Sequence, residues 1–358
     1  LLFCTGEGSV KVPVVPPADE LKSLLAADQE KFLGVNGPSN AVLLQTACTA
    51  SFFDQQSDFL PKGLVDIVEE LAVDRKNQYE SSIKGSNVKV YTDYDEFLND
   101  ENIDVVTIAS ISGYHAKQAL DCLSHNKHVL IEKPMALSIE DADKIIKLGK
   151  KNNKKICVSH QNRFRPAIQK LRRAVDEGRF GKLIHGSART LWARDDNYYK
   201  QASWRGTKAL DGGTLLNQCI HNIDLLQWMM GGEIERISSE IDTFIRNIET
   251  EDFGAMLIRF KNGAVGVVEG SVCVYPRNLE ETLSIFGEKG TVVIKNGKIE
   301  TWRFEDERDY DNAELDETNL GHTPLYKDFI DAINNDREPL VNGEEGKKAV
   351  EIILRALK

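Results

Sequence analysis

Three short apolar runs constrain this chain more than any other feature. DVVTIAS (104–110), KHVLIEKP (127–134) and KKICVSH (154–160) are β-branched and apolar on consecutive positions, as strands buried on both faces require. The segments between them have helical spacing. GYHAKQALDCLSHN places Ala116, Ala119, Leu120 and Leu123 on one side. SIEDADKIIKLGKKNN opens on Ser138 as N-cap, with acids in its first turn and lysines in its last. Strand, helix, strand, helix, strand points to a doubly wound parallel sheet. Upstream, NVKVY reads as a further short strand and DYDEFLND as a helical turn.

Beyond about residue 161 the texture changes. A helix over 166–177 and the strand KLIHGSARTLW lead to an apolar helix, GGTLLNQCIHNIDLLQWMM (212–230). Long alternating segments follow, some separated by Lys261-Asn262-Gly263 and Lys295-Asn296-Gly297 turns. PLYKDFIDAINND and EEGKKAVEIILRALK read as closing helices. The 358 residues suffice for two domains. The expected division is an extension over 1–29, a Rossmann-like domain over 30–160 and a second α/β domain over 161–358. The second domain is expected to carry a large, mainly antiparallel, open-faced sheet. Net charge is −11, which argues against nucleic acid as a partner. No apolar run approaches the ~20 residues of a membrane span. The opening LLFCTGEGSVKVPVVPP lacks a basic stretch before an apolar core, so a cytoplasmic protein is expected. Six scattered cysteines form no CxxC pair, so reduced thiols and no metal site are expected.

A dinucleotide-binding sheet should open with strand, G-x-G-x-x-G/A, helix. That motif is absent. The nearest chemistry is FLGVNGPSNAVLL, with Gly34 and Gly37 before a helix. The acid for the ribose hydroxyls would be Asp74, 37 residues after Gly37 where about 20 is usual. It favours NAD, and Arg75 and Lys76 beside it leave NADP open. The same stretch, residues 63–83, also scans as one amphipathic helix through Leu64, Ile67, Val68 and Leu71.

Three stretches carry chemistry. Lys133, directly after a buried strand, lies at the carboxyl end of the parallel sheet, where ligands bind in such folds; Pro134 after it could hold a cis turn. SHQNRFRP places Gln161, Asn162 and Arg163 on the same rim. The long loop RTLWARDDNYYKQASWRGTKALDGG offers Arg194 and Arg205 for phosphate or carboxylate, and Trp204 or Tyr198 for stacking. In the apolar helix, Asn217, His221 and Asp224 fall within ~60° at 100° per residue. Asp224, one turn from His221, could accept its ring N–H.

These residues resemble a known family. EKPMALS after an apolar strand, HQNRF and ALDGGTLLNQCIHNIDLLQWMMG are similar to the glucose–fructose oxidoreductase / inositol dehydrogenase (Gfo/Idh/MocA) superfamily, over about residues 87–358. YYKQASWRGTKALDGGTLLNQCIHNIDLLQW resembles its UDP-N-acetylglucosaminuronate 3-dehydrogenase branch. The resemblance implies a Rossmann domain followed by an open-faced-sheet domain, NAD or NADP, and a homodimer or homotetramer. The family's lysine falls on Lys133 and its histidine on His221. Many relatives carry Asp where this chain has Asn217. ASISGYH (109–115) matches the loop near the nicotinamide and diphosphate, which assigns Ala109, Ser110, Ser112 and His115 to the cofactor, together with Glu132, Lys133 and Gln161. The family's glycine-rich phosphate loop is missing or displaced.

The expected activity is oxidation of a sugar or nucleotide-sugar hydroxyl at a C3-type position. His221 serves as general base and Lys133 stabilises the developing alkoxide. Asn217 bonds a sugar hydroxyl, and Arg163, Arg194, Trp204 and Arg205 contribute to substrate binding. Two alternatives stand beside it: a dehydrogenase of a free polyol such as an inositol, and a non-catalytic sugar- or cofactor-binding member.

Overall fold

The structure is a computed structural model. It describes Gly63–Val65, Val73, Lys76, Asn77, residues 89–315 except Gly232, and residues 321–358. Strands β1 (Gly63–Val65) and β2 (Lys89–Tyr91) pair in parallel, followed by the short helix α1 (Tyr94–Leu98). The three apolar runs become β3 (Val105–Ile108), β4 (His128–Ile131) and β5 (Ile156–Val158), parallel and adjacent in that order. Helix α2 (Ser112–Ser124) connects β3 to β4, and α3 (Ile139–Lys151) connects β4 to β5. Ser138 caps α3, its Oγ accepting the Asp141 N–H at 3.1 Å. Of the stretch expected to carry a strand up to Asp74, the described residues are the strand Gly63–Val65 and the helical Val73, Lys76 and Asn77. Asp74 and Arg75 themselves lie outside the described residues, as do Gly34, Gly37 and the 1–29 extension.

The rest of the chain builds a second sheet. Helix α4 (Pro166–Asp176) starts on a proline, which needs no N–H there. Strand β6 (Leu183–Leu191), the short helix α5 (Asp196–Lys200) and a π-helical turn at Leu215–Cys219 lead into α6 (Ile220–Met230). Strands β7 (Ile234–Asp242), β8 (Phe253–Phe260), β9 (Val265–Ser271), β10 (Glu280–Gly287), β11 (Gly290–Lys295) and β12 (Lys298–Phe304) join β6 in the order β12-β11-β10-β6-β9-β8-β7. Every pairing is antiparallel except β6 with β9.

One face of this sheet packs against α6 and the other is open. In β8, Gly254, Met256, Ile258 and Phe260 are buried, whereas Leu257 between them is exposed. Two register-paired glycine couples let the helix approach. Gly186 and Gly266 lie beneath Leu226, and Gly254 and Gly270 lie beneath Leu215. A Cβ on Gly186 would stand 2.8 Å from Leu226 Cδ1, well inside van der Waals contact.

The closing helices α7 (His322–Asn334) and α8 (Gly343–Ala356) reach the parallel sheet, and α8 also meets the second sheet, the Ser239 hydroxyl of β7 donating to Ala356 O at 2.7 Å. Leu325, Tyr326, Phe329 and Ile330 of α7 cluster with Leu130 and Cys157 of the parallel sheet. Gly346 of α8 lies against Val158. The parallel sheet thus needs the chain's end to cover a face, because β3–β5 are apolar on both sides. A second crossing occurs at the start of α2, where the Gly113 N–H donates to Leu210 O at 2.9 Å. A Cβ on Gly113 would overlap the Ala209 carbonyl oxygen and sit 2.9 Å from Leu210 Cα. Gly113→Ala should therefore destabilise the protein by about 1–3 kcal/mol, the usual cost of forcing atoms into a packed contact. Urea unfolding that matches wild type would show that the two segments separate freely.

Candidate functional site

Lys133 leaves the carboxyl end of β4, and its peptide bond to Pro134 is cis. Its Nζ reaches across to the π turn, donating to Asn217 O at 2.8 Å and to Asn217 Oδ1 at 3.1 Å. The Asn217 Nδ2 donates in turn to Asp211 Oδ1. The other Asp211 oxygen accepts the Gly206 N–H at 2.7 Å. Between Asp211 and Asn217 the backbone turns through Gly212 (φ +87°) and Gly213 (φ +102°), a region L side chains avoid. A Cβ at Gly213 would also overlap the Glu251 carboxylate. Glu251 accepts the Leu215 N–H at 2.7 Å, and burial pushes its carboxyl up to about 7.

His221 follows Asn217 by four residues. Its ring meets that of His160 edge to face, centroids 5.9 Å apart. The buried Nδ1 has no hydrogen-bond partner among the described residues. Burial, then the charges of Lys133 and its other basic neighbours, hold the imidazole well below its ordinary pKa. The ring is therefore neutral at pH 7. Burial also lowers the Lys133 ammonium, while Glu132 and Asp211 work in the opposite direction.

Asp224 does not serve His221. Its two oxygens take a bidentate grip from Arg163, Nε to Oδ2 at 2.8 Å and Nη2 to Oδ1 at 2.6 Å. Arg163 Nη1 also meets Glu345 Oε2 of α8 at 2.9 Å, and its Cζ lies 4.8 Å from the Trp228 ring centre. Arg163 is fully buried. With its guanidinium taken by two carboxylates, it has no surface to offer a substrate, so its expected role in substrate binding falls. Burial raises the Asp224 carboxyl, but the Arg163 charge outweighs it and the group sits below its usual value.

Arg194 and Arg205 do come together. Arg194 Nη2 donates to Gln218 Oε1 at 2.9 Å, Gln218 Nε2 donates to the Tyr198 hydroxyl at 3.0 Å, and Arg205 Nη1 donates to the same hydroxyl at 2.5 Å. Both guanidiniums stack on Tyr198, and Arg205 also lies over half-buried Trp204. This aromatic–guanidinium group is tied by Gln218 to the turn that holds Asn217. His115 sits elsewhere. It is buried, with Nδ1 2.8 Å from Pro134 O and Nε2 2.9 Å from Ser110 O. It braces the loops after β3 and β4 against each other instead of presenting its ring to a ligand. Asp211, Gln218 and His160 went unrecognised in the sequence. The available signal for Asp211 was its place six residues before Asn217, across two glycines.

Comparison with known proteins places this geometry. Residues 45–160 match the family described as "Oxidoreductase family, NAD-binding Rossmann fold", and residues 168–293 match "GFO/IDH/MocA C-terminal domain". The WlbA dehydrogenase from Bordetella pertussis, solved in complex with NADH and UDP-GlcNAcA, is 30% identical, with a TM-score of 0.75 covering 87% of this chain and 90% of that one. The Chromobacterium violaceum WlbA dehydrogenase, solved with the same two ligands, is 30% identical at a TM-score of 0.78 and covers 86% and 88%. The myo-inositol 2-dehydrogenase of Thermotoga maritima is 28% identical over 73% of this chain and 79% of its own.

The chain belongs to the Gfo/Idh/MocA family.

It is accordingly an NAD-dependent oxidoreductase. The Rossmann match begins at residue 45, after Gly34 and Gly37. The described residues of this Gfo/Idh/MocA chain fit a dinucleotide. The carboxyl ends of β3, β4 and β5 open on one rim. Along it, the buried Ser159 Oγ, Gln161 Oε1 and His221 Nδ1 all lack partners among the described residues, and buried polar atoms rarely stay unsatisfied. No helix among the described residues is long and apolar enough to cross a membrane. Asp224→Ala would leave the buried Arg163 guanidinium with Glu345 alone and two of its N–H groups without an acceptor. It should destabilise the protein by about 3–5 kcal/mol, measured as a lowered urea midpoint; a loss under ~1 kcal/mol would mean the pair is already solvated.

Proposed function

We propose that this chain oxidises a ring hydroxyl of a nucleotide sugar, at a C3-type position, with NAD as the acceptor. The observation that carries the reading is a neutral His221 near Lys133, with Arg194 and Arg205 close to the same lysine. The two solved WlbA dehydrogenases support it, being 30% identical and bound to NADH and UDP-GlcNAcA. The nicotinamide, when bound, accepts the hydride. Ala109, Ser110, Ser112, Glu132, Lys133 and Gln161 line its side of the rim.

The chemistry then falls to three side chains. His221, neutral and short of a partner, takes the hydroxyl proton as the carbon gives up its hydride. Lys133 spends two of its three N–H groups on Asn217, which leaves one for the substrate oxygen as charge develops on it. Asn217 has both ends of its amide engaged by Lys133 and Asp211. Its part is thus to aim the lysine, in place of the sugar contact expected from the sequence. Arg194 and Arg205, on a loop rather than in the core, suit a diphosphate, with Trp204 beside them.

His221→Ala should cut kcat for NAD reduction by UDP-GlcNAcA by about 10²–10⁴-fold and leave NADH affinity, read by fluorescence, within about twofold. Turnover that survives the substitution would remove His221 from the base role. Because the His221 pKa is depressed, the ring protonates only at low pH. The acid limb of kcat/KM for oxidation should therefore lie below pH 6.5, and a limb above 7 would contradict a neutral buried base.

A free polyol is the second reading, favoured by the likeness to the Thermotoga maritima myo-inositol 2-dehydrogenase. Arg205→Ala separates the two. Loss of a charged hydrogen bond, about 1.5–3 kcal/mol, should raise KM for UDP-GlcNAcA roughly 10–100-fold. An enzyme for free inositol would show equal turnover of inositol in both proteins and none of the nucleotide sugar.

A further inference from the structure

Asp211 is buried, at 4% exposure, in the turn before the π segment. Both its oxygens accept N–H groups: Oδ2 from the Gly206 backbone, Oδ1 from the Asn217 side chain. That second bond decides the direction of the Asn217 amide. A carboxylate can only accept and an ammonium can only donate. Nδ2 must therefore turn to Asp211, and Oδ1 is left for Lys133. The opposite orientation would press oxygen against carboxylate and NH₂ against ammonium. Asn217 is thus the uncharged middle of a chain running Gly206 N–H, Asp211, Asn217, Lys133.

We propose that Asp211 is a positioning residue that acts through Asn217 to hold Lys133 as an ammonium beside His221. The inference rests on the reading of Lys133 as the group that stabilises substrate charge. It explains how an amide can occupy position 217 at all. Asn carries no charge to attract the lysine, and Asp211 supplies that charge at one remove. A carboxylate at 217 would instead meet the Asp211 carboxylate at hydrogen-bonding distance, where two like charges cannot both persist. One negative charge therefore belongs to the pair of positions, and this chain puts it at 211.

The basic groups around Lys133 do not replace it. Arg194 and Arg205, from the long loop, repel the ammonium. His115 from α2, His160 after β5 and His221 from α6 face it as bases lowered by burial. Among the described residues Glu132, the residue before it, also favours the ammonium, and it stays in place in every variant below, so the change read out belongs to Asp211.

The test reads Lys133 directly in the full-length protein without sugar or NAD. Competitive acetylation with acetic anhydride across a pH series, followed by peptide mass spectrometry, gives the pH at which Lys133 becomes half reactive. In Asp211→Asn that pH should fall by about 1 unit or more, the effect of losing one nearby opposite charge. In the exchanged double variant D211N/N217D it should return close to wild type, because the charge is restored one residue nearer. Asn217→Ala, which cuts the link but keeps Asp211, should lower it as well. A folded Asp211→Asn or Asn217→Ala protein with the wild-type Lys133 profile overturns the proposal. So does an exchanged variant that stays as low as Asp211→Asn. Activity gives the second readout: kcat for NAD reduction should fall at least about 10-fold in Asp211→Asn and recover in the exchange, with NADH affinity unchanged. Since acetylation requires no turnover, a protein that oxidises no nucleotide sugar would still show whether Asp211 controls Lys133.

Discussion

The buried ion pair between Arg163 and Asp224 sets the frame in which the site is built. Arg163 lies just after β5, Asp224 in α6 and Glu345, the second acceptor, in α8. One guanidinium therefore joins the parallel sheet's exit, the helix that carries the candidate base and the last helix of the chain. Taking charges out of water costs several kcal/mol per ion, so each must meet a partner in good geometry. A bidentate grip meets that need at one orientation of α6 only. An apolar contact of equal volume could be as stable, but it would tolerate rotation. Rotation of α6 would move His221, one turn away, out of line with Lys133.

Charge is sorted around Lys133. The chain as a whole is acidic, at −11, yet Arg194 and Arg205 lie near Lys133. Three acids of this region, Asp211, Glu251 and Glu132, are buried. Each of these acids has a defined acceptor task, Asp211 for Gly206 and Asn217 and Glu251 for Leu215. The arginines are donors that suit an anionic ligand, while Glu132 and Asp211 supply charge that favours the protonated lysine. Burial beside the Lys133 charge keeps the His221 ring unprotonated at neutral pH, and so available as a base.

The fold was legible where one pattern excluded the others. Apolar runs such as VVTI and HVLI are too short for buried helices and too continuous for half-exposed strands, so the parallel sheet followed directly. The region around Leu64 to Ile83 satisfies strand and helix templates at once. Sequence spacing could not choose, and the strand turned out to be the brief Gly63–Val65. For the closing helices the amphipathic pattern is clear, but periodicity states only that a face is buried. Leu325 and Phe329 lie against Leu130 and Gly346 against Val158, while Ala356 meets Ser239 of the second sheet, contacts that no spacing specifies.

The site was legible by residue type and illegible by partnership. Lys133 and His221 stand out because polar groups in apolar surroundings demand a reason. Arg163 and Arg194 look alike in sequence, both in polar stretches near the rim, yet one is sealed against carboxylates and the other lies on a loop with aromatic faces. Asp224 was misread for a geometric cause. Regular α-helical arithmetic puts Asn217, His221 and Asp224 on one stripe, but residues 215–219 form a π turn, with more residues per turn than an α-helix. That wider turn shifts Asn217 relative to everything after it. Two glycines at positive φ enter the turn, and Glu251 holds its Leu215 amide from below. The turn brings the Asn217 carbonyl and side chain together onto one lysine, two acceptors from a single residue. Lys133 takes both.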